Sequence, residues 1–139
     1  MRREALEPVF THFIPAELAD GSLYISMEYA TAVHRCACGC GDKVVTPFRP
    51  TDWTLTFNGR VTLSPSVGNG QAACGSHYLI RENRIVWCRP MRRESAVAAQ
   101  RRDDAHRSTV YDSTRRTSRL AQAIQRIRGH RVSMRRRDR

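Results

Sequence analysis

Cysteine and histidine residues gather at two separated points of the chain, and their types and spacing suit the binding of a metal ion. The first point is the run Cys36-Ala37-Cys38-Gly39-Cys40-Gly41, and the second is Cys74-Gly75-Ser76-His77. Zinc takes four sulfur and nitrogen ligands in a tetrahedral arrangement, and structural zinc sites keep all four positions filled by protein. The pattern therefore predicts one structural zinc ion.

The candidate ligands outnumber the four that one zinc ion needs. The predicted metal ligands are Cys36, Cys38, Cys40, Cys74 and His77. The preferred set takes Cys74 and His77 with two of the three clustered cysteines. We interpret His34 as an ordinary strand histidine, and Cys88, in an apolar run, as a small buried hydrophobic side chain.

Disulfide bonds and inert buried thiols are the alternatives to a metal site. The chain has five cysteines, which is an odd number, and neighbouring residues of a Cys-x-Cys run cannot easily pair with each other. Residues 1–15 carry charges and lack the apolar core of a secretory signal. We therefore expect a cytoplasmic protein, in which clustered cysteine and histidine residues more often bind metal than form bridges.

Charge divides the chain into two parts. Residues 1–88 contain eight basic and eight acidic side chains, so the whole formal excess of +11 lies in residues 89–139. Residues 1–88 also hold the short runs rich in β-branched and aromatic side chains that are typical of strands. These runs are residues 23–27, 43–46, 53–57, 61–63, 78–80 and 85–87.

Turn signals join some of these runs into hairpins. Asn58-Gly59 lies between two runs and is a strong hairpin signal, and Glu82-Asn83 joins the last two runs in the same manner. Residues 15–21 predict one or two helical turns. The predicted fold is mainly β: a small antiparallel, zinc-stabilised β domain with hairpins over residues 1–88.

The predicted second region, residues 89–139, is a basic tail rich in Arg, Ser and Thr that is partly helical or disordered. Residues 94–106 are compatible with a helix, and residues 118–134 have an amphipathic pattern with arginines around an apolar stripe. The stripe consists of Leu120, Ile124, Ile127 and Met134. No stretch has the ~20 apolar residues of a membrane-spanning helix.

Six motifs in residues 10–88 resemble a small bacterial Cys/His-rich family known as a domain of unknown function. In order they are His34-x-Cys36-x-Cys38-Gly39-Cys40-Gly41, Val45-Thr46-Pro47, Pro50-x-Asp52-Trp53-x-Leu55-x-Phe57, Pro65-Ser66-x-Gly68-Asn69, Cys74-x-Ser76-His77-Tyr78 and Val86-Trp87. The resemblance implies a cytoplasmic zinc-binding domain that is sometimes encoded near bacterial ubiquitin-like conjugation genes. Two departures are Gly70-Gln71, where an aromatic residue is expected, and Cys88, where another apolar residue is expected.

The sequence contains no complete catalytic constellation. Zinc deaminases need His-x-Glu with Pro-Cys-x-x-Cys, and helical zinc proteases need His-Glu-x-x-His; both are absent. A cysteine nucleophile, Cys36 or Cys38 partnered by His34 or His77, is the remaining enzyme hypothesis. We name no catalytic residue on this basis.

The predicted function is a zinc-stabilised binding or adaptor module for a protein partner, in a bacterial ubiquitin-like conjugation or defence context. The runner-up is nucleic-acid binding through the basic tail. A cysteine- or zinc-dependent enzyme ranks third. No feature indicates a small-molecule substrate.

Overall fold

The computed structural model describes the backbone of residues 1–68, 73–89 and 93–134, and within these ranges the side chains of residues up to 122, apart from residue 93. Its architecture is mainly β, as predicted, with two four-stranded sheets and a C-terminal helix. The first sheet contains β1 (Glu7–Phe10), β2 (Ser22–Ser26), β3 (Thr31–Arg35) and β4 (Lys43–Pro47). The second contains β5 (Thr54–Phe57), β6 (Val61–Val67), β7 (Tyr78–Arg81) and β8 (Arg84–Trp87), and α1 spans Arg93–Met134.

The first sheet has the order β1-β2-β3-β4, and its β1–β2 pair is parallel while the other pairs are antiparallel. Strands β1 and β3 were not predicted. The parallel pair requires residues 11–21 to cross back along the sheet, and the prediction of helical turns at 15–21 is wrong. The Leu18 carbonyl accepts a hydrogen bond from Arg35 Nε at 2.7 Å, so a side chain takes the place of a helical amide donor.

The second sheet is an antiparallel meander, β5-β6-β7-β8, and both predicted hairpins are confirmed. Glu82 and Asn83 have φ angles of 49° and 67°, the left-handed conformation that two-residue hairpin turns need. Asn83 also stabilises the neighbouring strand, because its Oδ1 accepts a hydrogen bond from the Val61 amide at 2.7 Å.

The hydrophobic core draws side chains from both sheets. Its buried members include Leu6, Leu23, Ile25, Ala32, Val61, Leu63, Val67, Tyr78, Ile80 and Ile85. One polar contact crosses this core: His34 Nε2 on β3 lies 2.7 Å from the Tyr78 hydroxyl on β7. Burial lowers the pKa of His34 to about 4, so its imidazole is neutral at physiological pH. This hydrogen bond therefore joins the two sheets without burying a charge.

The basic tail forms the long helix α1 over most of its described length. Its serine and threonine hydroxyls donate to carbonyls three or four residues earlier, as Thr109 does to Ala105. The side chains of Ile124, Ile127 and Met134 lie outside the described residues, as do Gly70 and Gln71. Within the described part of the chain, no helix combines the length and the apolar character needed to cross a bilayer.

Contacts divide the chain into two compact units, Met1–Arg101 and Arg102–Arg139. The last strand ends at Trp87 and α1 begins at Arg93. The predicted division after residue 88 into a zinc-binding domain and a basic tail stays a prediction.

Tyr78→Phe tests the polar contact between the sheets. The substitution leaves His34 Nε2 buried without its partner, so we expect the free energy of unfolding to fall by about 1–3 kcal/mol. Tyr111→Phe, on the exposed surface of α1, is the matched control and should change stability by less than ~0.5 kcal/mol. Urea denaturation of both variants measures the difference, and equal stabilities would contradict this role of the hydroxyl.

Candidate active site and thiol cluster

Four cysteines, Cys36, Cys38, Cys40 and Cys74, bring their sulfur atoms to one point, and we call this group the thiol cluster. All four Sγ atoms lie within 4.8 Å of one another. The Cys36 sulfur is 3.4 Å from that of Cys38 and 3.9 Å from that of Cys74. Four thiolates bound to one zinc ion at ~2.3 Å would lie about 3.8 Å apart. The cluster therefore has the dimensions of a tetrahedral metal site.

A tight turn, not an extended strand, delivers three of these thiols. The Gly39 amide donates to the Cys36 carbonyl at 3.0 Å, and Gly39 has a φ of 85°. Only glycine adopts this conformation without strain. Packing also requires a residue without a side chain here, because a Cβ on Gly39 would lie 2.8 Å from the backbone nitrogen of Met1.

Hydroxyl groups surround the thiol cluster on the side of β7. The Ser76 side chain is hydrogen-bonded to Cys38 and to Cys36, and the Tyr78 hydroxyl is also hydrogen-bonded to Cys36. The bond from Ser76 lowers the pKa of Cys38, whereas burial raises the pKa of Cys36. A cation among four thiols this close together would favour their thiolate form, because thiolates are the metal-binding form of cysteine. The hydroxyls are donors of the kind that orient metal-bound thiolates.

His77 lies outside the thiol cluster and contacts a serine instead. Its Nε2 is 2.8 Å from the Ser66 hydroxyl oxygen, and its Nδ1 is 3.5 Å from the Arg89 carbonyl oxygen. The carbonyl can only accept, so Nδ1 carries the proton and Nε2 is free to accept from Ser66. A serine hydroxyl that donates to an oriented imidazole is the arrangement of an activated nucleophile and its base. We call Ser66 and His77 the dyad.

An irregularity in β6 places Ser66 in the dyad. Leu63 pairs with Ile80 and Val67 pairs with Tyr78. Between these two pairs β6 has three residues, whereas β7 has only one. The two additional residues form a bulge, a device that often re-aims side chains next to active sites. Pro65 suits this position because it has no backbone amide to contribute to the ladder. The Trp53 indole holds the bulge by donating to the Ser66 carbonyl at 3.3 Å.

Gly68 allows the end of β6 to approach the segment that carries His77. A Cβ added at Gly68 would lie 2.1 Å from the Ser76 carbonyl oxygen, and the residue has a φ of 80°. Both the contact and the conformation require glycine. The backbones that carry Ser66 and His77 are therefore in direct contact.

The structure separates the five predicted metal ligands into two groups. Four of them form the thiol cluster, while His77 belongs to the dyad. Cys88 lies outside the cluster, with its sulfur 4.0 Å from the Val86 carbonyl. The alternative of Cys36 or Cys38 as a nucleophile beside a histidine finds no such pair among the described residues, since His34 contacts Tyr78.

Sequence reasoning missed Ser66, although a signal was present. A proline inside a strand run, followed by Gly68, indicates a bulge and a close backbone approach. Ser66 and His77 also each fall within one of the six motifs. Their contact spans eleven residues of separation and depends on the bulge, so spacing alone does not reveal it.

Comparison with known proteins identifies a family. Residues 10–88, more than half of the chain, match the family model described as bacterial ubiquitination-like system serine protease (BubE). No curated protein and no solved structure gives a significant match. The resemblance to a family associated with bacterial ubiquitin-like conjugation is thereby confirmed.

The description of the family contradicts the predicted function. A serine protease is not a non-enzymatic binding or adaptor module, so that prediction is wrong. Nothing in the comparison supports the nucleic-acid-binding alternative, which concerned residues outside the match. The adaptor prediction rested on the absence of a catalytic constellation in the linear sequence. The contact between Ser66 and His77 is formed only by folding, so the linear sequence does not display it.

Gly68→Ala tests the close approach that supports the dyad. The added Cβ meets a backbone carbonyl and a strained φ, so we expect the free energy of unfolding to fall by more than ~2 kcal/mol. Gly75→Ala is the matched control, because Gly75 also has a positive φ but its Cβ would meet no atom within 4 Å. In that variant the free energy of unfolding should fall only by the ~1–2 kcal/mol that the strained backbone conformation costs. Equal losses in thermal or urea denaturation would contradict the close contact.

Proposed function

Because the chain belongs to the family of bacterial ubiquitination-like system serine proteases (BubE), we propose that it hydrolyses amide bonds with Ser66 as nucleophile and His77 as general base. The observation that carries the proposal is the 2.8 Å contact between the Ser66 hydroxyl and His77 Nε2. Such a contact lets the imidazole remove the hydroxyl proton as the oxygen attacks a carbonyl.

In the first half of the reaction, Ser66 Oγ forms a bond to the substrate carbonyl carbon while His77 Nε2 takes the hydroxyl proton. The imidazolium then gives this proton to the leaving nitrogen as the carbon–nitrogen bond breaks. The Arg89 carbonyl, which accepts from Nδ1, keeps the ring in the tautomer and orientation that the first step requires. The products of this half are an amine and an acyl ester on Ser66.

In the second half, water replaces the leaving amine. His77 Nε2 removes a proton from the water as it attacks the ester carbonyl, and returns the proton to Ser66 Oγ as the carbon–oxygen bond breaks. The carboxylic acid leaves and the dyad is restored. Both halves use the same two atoms, Ser66 Oγ and His77 Nε2.

The family description suggests the class of substrate. A protease of a ubiquitination-like system acts on a protein, and we propose that this chain cleaves the amide bond that follows the C-terminal residue of a ubiquitin-like protein. Precursor extensions and conjugates both present such a bond. The protein partner expected from the sequence is then the substrate itself.

We also propose that the thiol cluster binds a structural zinc ion. Its four ligands are all thiols, the donor set of closed structural zinc sites, whereas catalytic sites keep one position for water. The four sulfurs join the turn at residues 36–40 to Cys74, which precedes β7. In a small domain a bound metal adds stability that the core alone supplies only in part. The zinc ion would hold the fold, and the dyad would perform the reaction.

Replacement of either dyad residue tests the proposed reaction. Ser66→Ala and His77→Ala should each lower hydrolysis of a C-terminal amide fusion to a ubiquitin-like protein by at least ~10³-fold, because each removes one partner of the proton transfer. Ser64→Ala, at an exposed position of the same strand, is the control and should retain activity. Labelling by a fluorophosphonate probe should disappear in Ser66→Ala alone among these serines. Unchanged labelling in Ser66→Ala would refute the assignment of the nucleophile.

Metal content separates the thiol cluster from the dyad. The purified protein should contain about one zinc ion per chain by elemental analysis, as the four-thiol donor set predicts. Cys74→Ser should lose metal and stability, because it removes a ligand, whereas Cys88→Ser and His77→Ala should retain metal. A His77→Ala protein without zinc would place His77 among the ligands and falsify this separation.

A further inference from the structure

Residues 74–78 contact both the thiol cluster and the dyad, and the contacts alternate along the chain. Cys74 contributes a thiol, Ser76 is hydrogen-bonded to Cys36 and Cys38, and the Tyr78 hydroxyl is also hydrogen-bonded to Cys36. Between Ser76 and Tyr78, the His77 side chain contacts Ser66 instead. One face of this short segment is therefore attached to the thiol cluster while the other presents the base.

Resting on the proposed serine protease function, we propose that the metal-loaded thiol cluster aims His77 at Ser66, with Ser76 and Tyr78 as the positioning residues. The metal contacts no substrate in this arrangement. Its removal would nevertheless stop the reaction, because the imidazole would lose its fixed direction. Protease activity would thus depend reversibly on metal.

Burial supports a positioning role for both hydroxyls. Ser76 and Tyr78 are buried, whereas His77 between them is only partly so. A buried serine hydroxyl needs a partner, and the sulfurs of the thiol cluster supply it. Rotation of the segment that turned His77 away from Ser66 would also break these buried hydrogen bonds.

Other attachments also hold this segment: the Ser76 carbonyl packs against Gly68, and the Arg89 carbonyl lies 3.5 Å from His77 Nδ1. The His77 carbonyl accepts from the Cys88 amide at 2.9 Å, and this bond holds the backbone beside β8. Gly75, just before Ser76, has a φ of 60° and open space around it. The contacts that hold the segment on its sulfur-facing side come from Cys74, Ser76 and Tyr78.

The decisive experiment compares Ser76→Ala with Ser76→Thr in the full chain at saturating zinc. We expect Ser76→Ala to bind zinc and to lose fluorophosphonate labelling of Ser66 and kcat by roughly 10²-fold, with KM unchanged, because a small misplacement of the base costs this much. Ser76→Thr, which keeps the hydroxyl, should recover most of the rate. Ser108→Ala, on α1, is the control and should label as the unsubstituted protein does.

A second readout follows the imidazole directly and does not use turnover. In protein labelled with 15N-histidine, Ser66→Ala should shift the His77 Nε2 resonance, because the substitution removes the hydrogen-bonded hydroxyl. The same substitution should leave this resonance unchanged once zinc has been removed by a chelator, and re-addition of zinc should restore the shift. Tyr78→Phe should show a reduced shift in the same comparison.

The outcomes distinguish the two proposals. If the unsubstituted, zinc-loaded protein is not labelled at Ser66, the proposed protease function fails. If it is labelled, but metal-free protein or zinc-loaded Ser76→Ala is labelled at the same rate, the positioning proposal is overturned and the protease function stands.

Discussion

The contact between the backbones at Gly68 and Ser76 is the constraint on which the site depends. The strands β6 and β7 are paired up to Val67 and Tyr78. Beyond that pair, the backbone segments that contain Gly68 and Ser76 approach more closely than a side chain on Gly68 would allow. Ser66 lies just before this contact on the first segment, and His77 lies just after it on the second. A pair of groups that must meet within hydrogen-bonding distance is thus placed by backbone packing, which is stiffer than a loop.

The strands with strong local signals were predictable, and those defined by their neighbours were not. Asn58-Gly59 and Glu82-Asn83 specify their hairpins through backbone conformations that few residues adopt, so the second sheet could be anticipated. Strand β1 contains Pro8 and pairs in parallel with β2 across a crossover, a long-range arrangement with no local pattern. The predicted helical turns at residues 15–21 failed for the same reason, because the crossover and Arg35 override a weak helical preference.

The two parts of the site differ in the same way. Cysteines are rare and reactive, so three of them in five residues indicate a metal site even without a structure. Serine is common, and Ser66 has no distinguishing neighbour except the proline and glycine that mark its bulge. His77 was predicted to be a metal ligand because of its Cys-x-x-His spacing, but this spacing also fits a histidine that faces away from the cysteines. Sequence spacing does not show whether the His77 side chain faces the cysteines, whereas the contacts of its neighbours Ser76 and Tyr78 show that it faces away.

The bulge in β6 has a consequence for how such a site could arise. The sheet around it follows ordinary antiparallel pairing on both sides, at Leu63 with Ile80 and at Val67 with Tyr78. A version of β6 shorter by two residues would pair continuously with β7 and keep the core, but its serine would no longer be directed at an imidazole. An inert β scaffold and a hydrolase would then differ by one short insertion. A fold of this kind would acquire chemistry late, and lose it again, without being rebuilt.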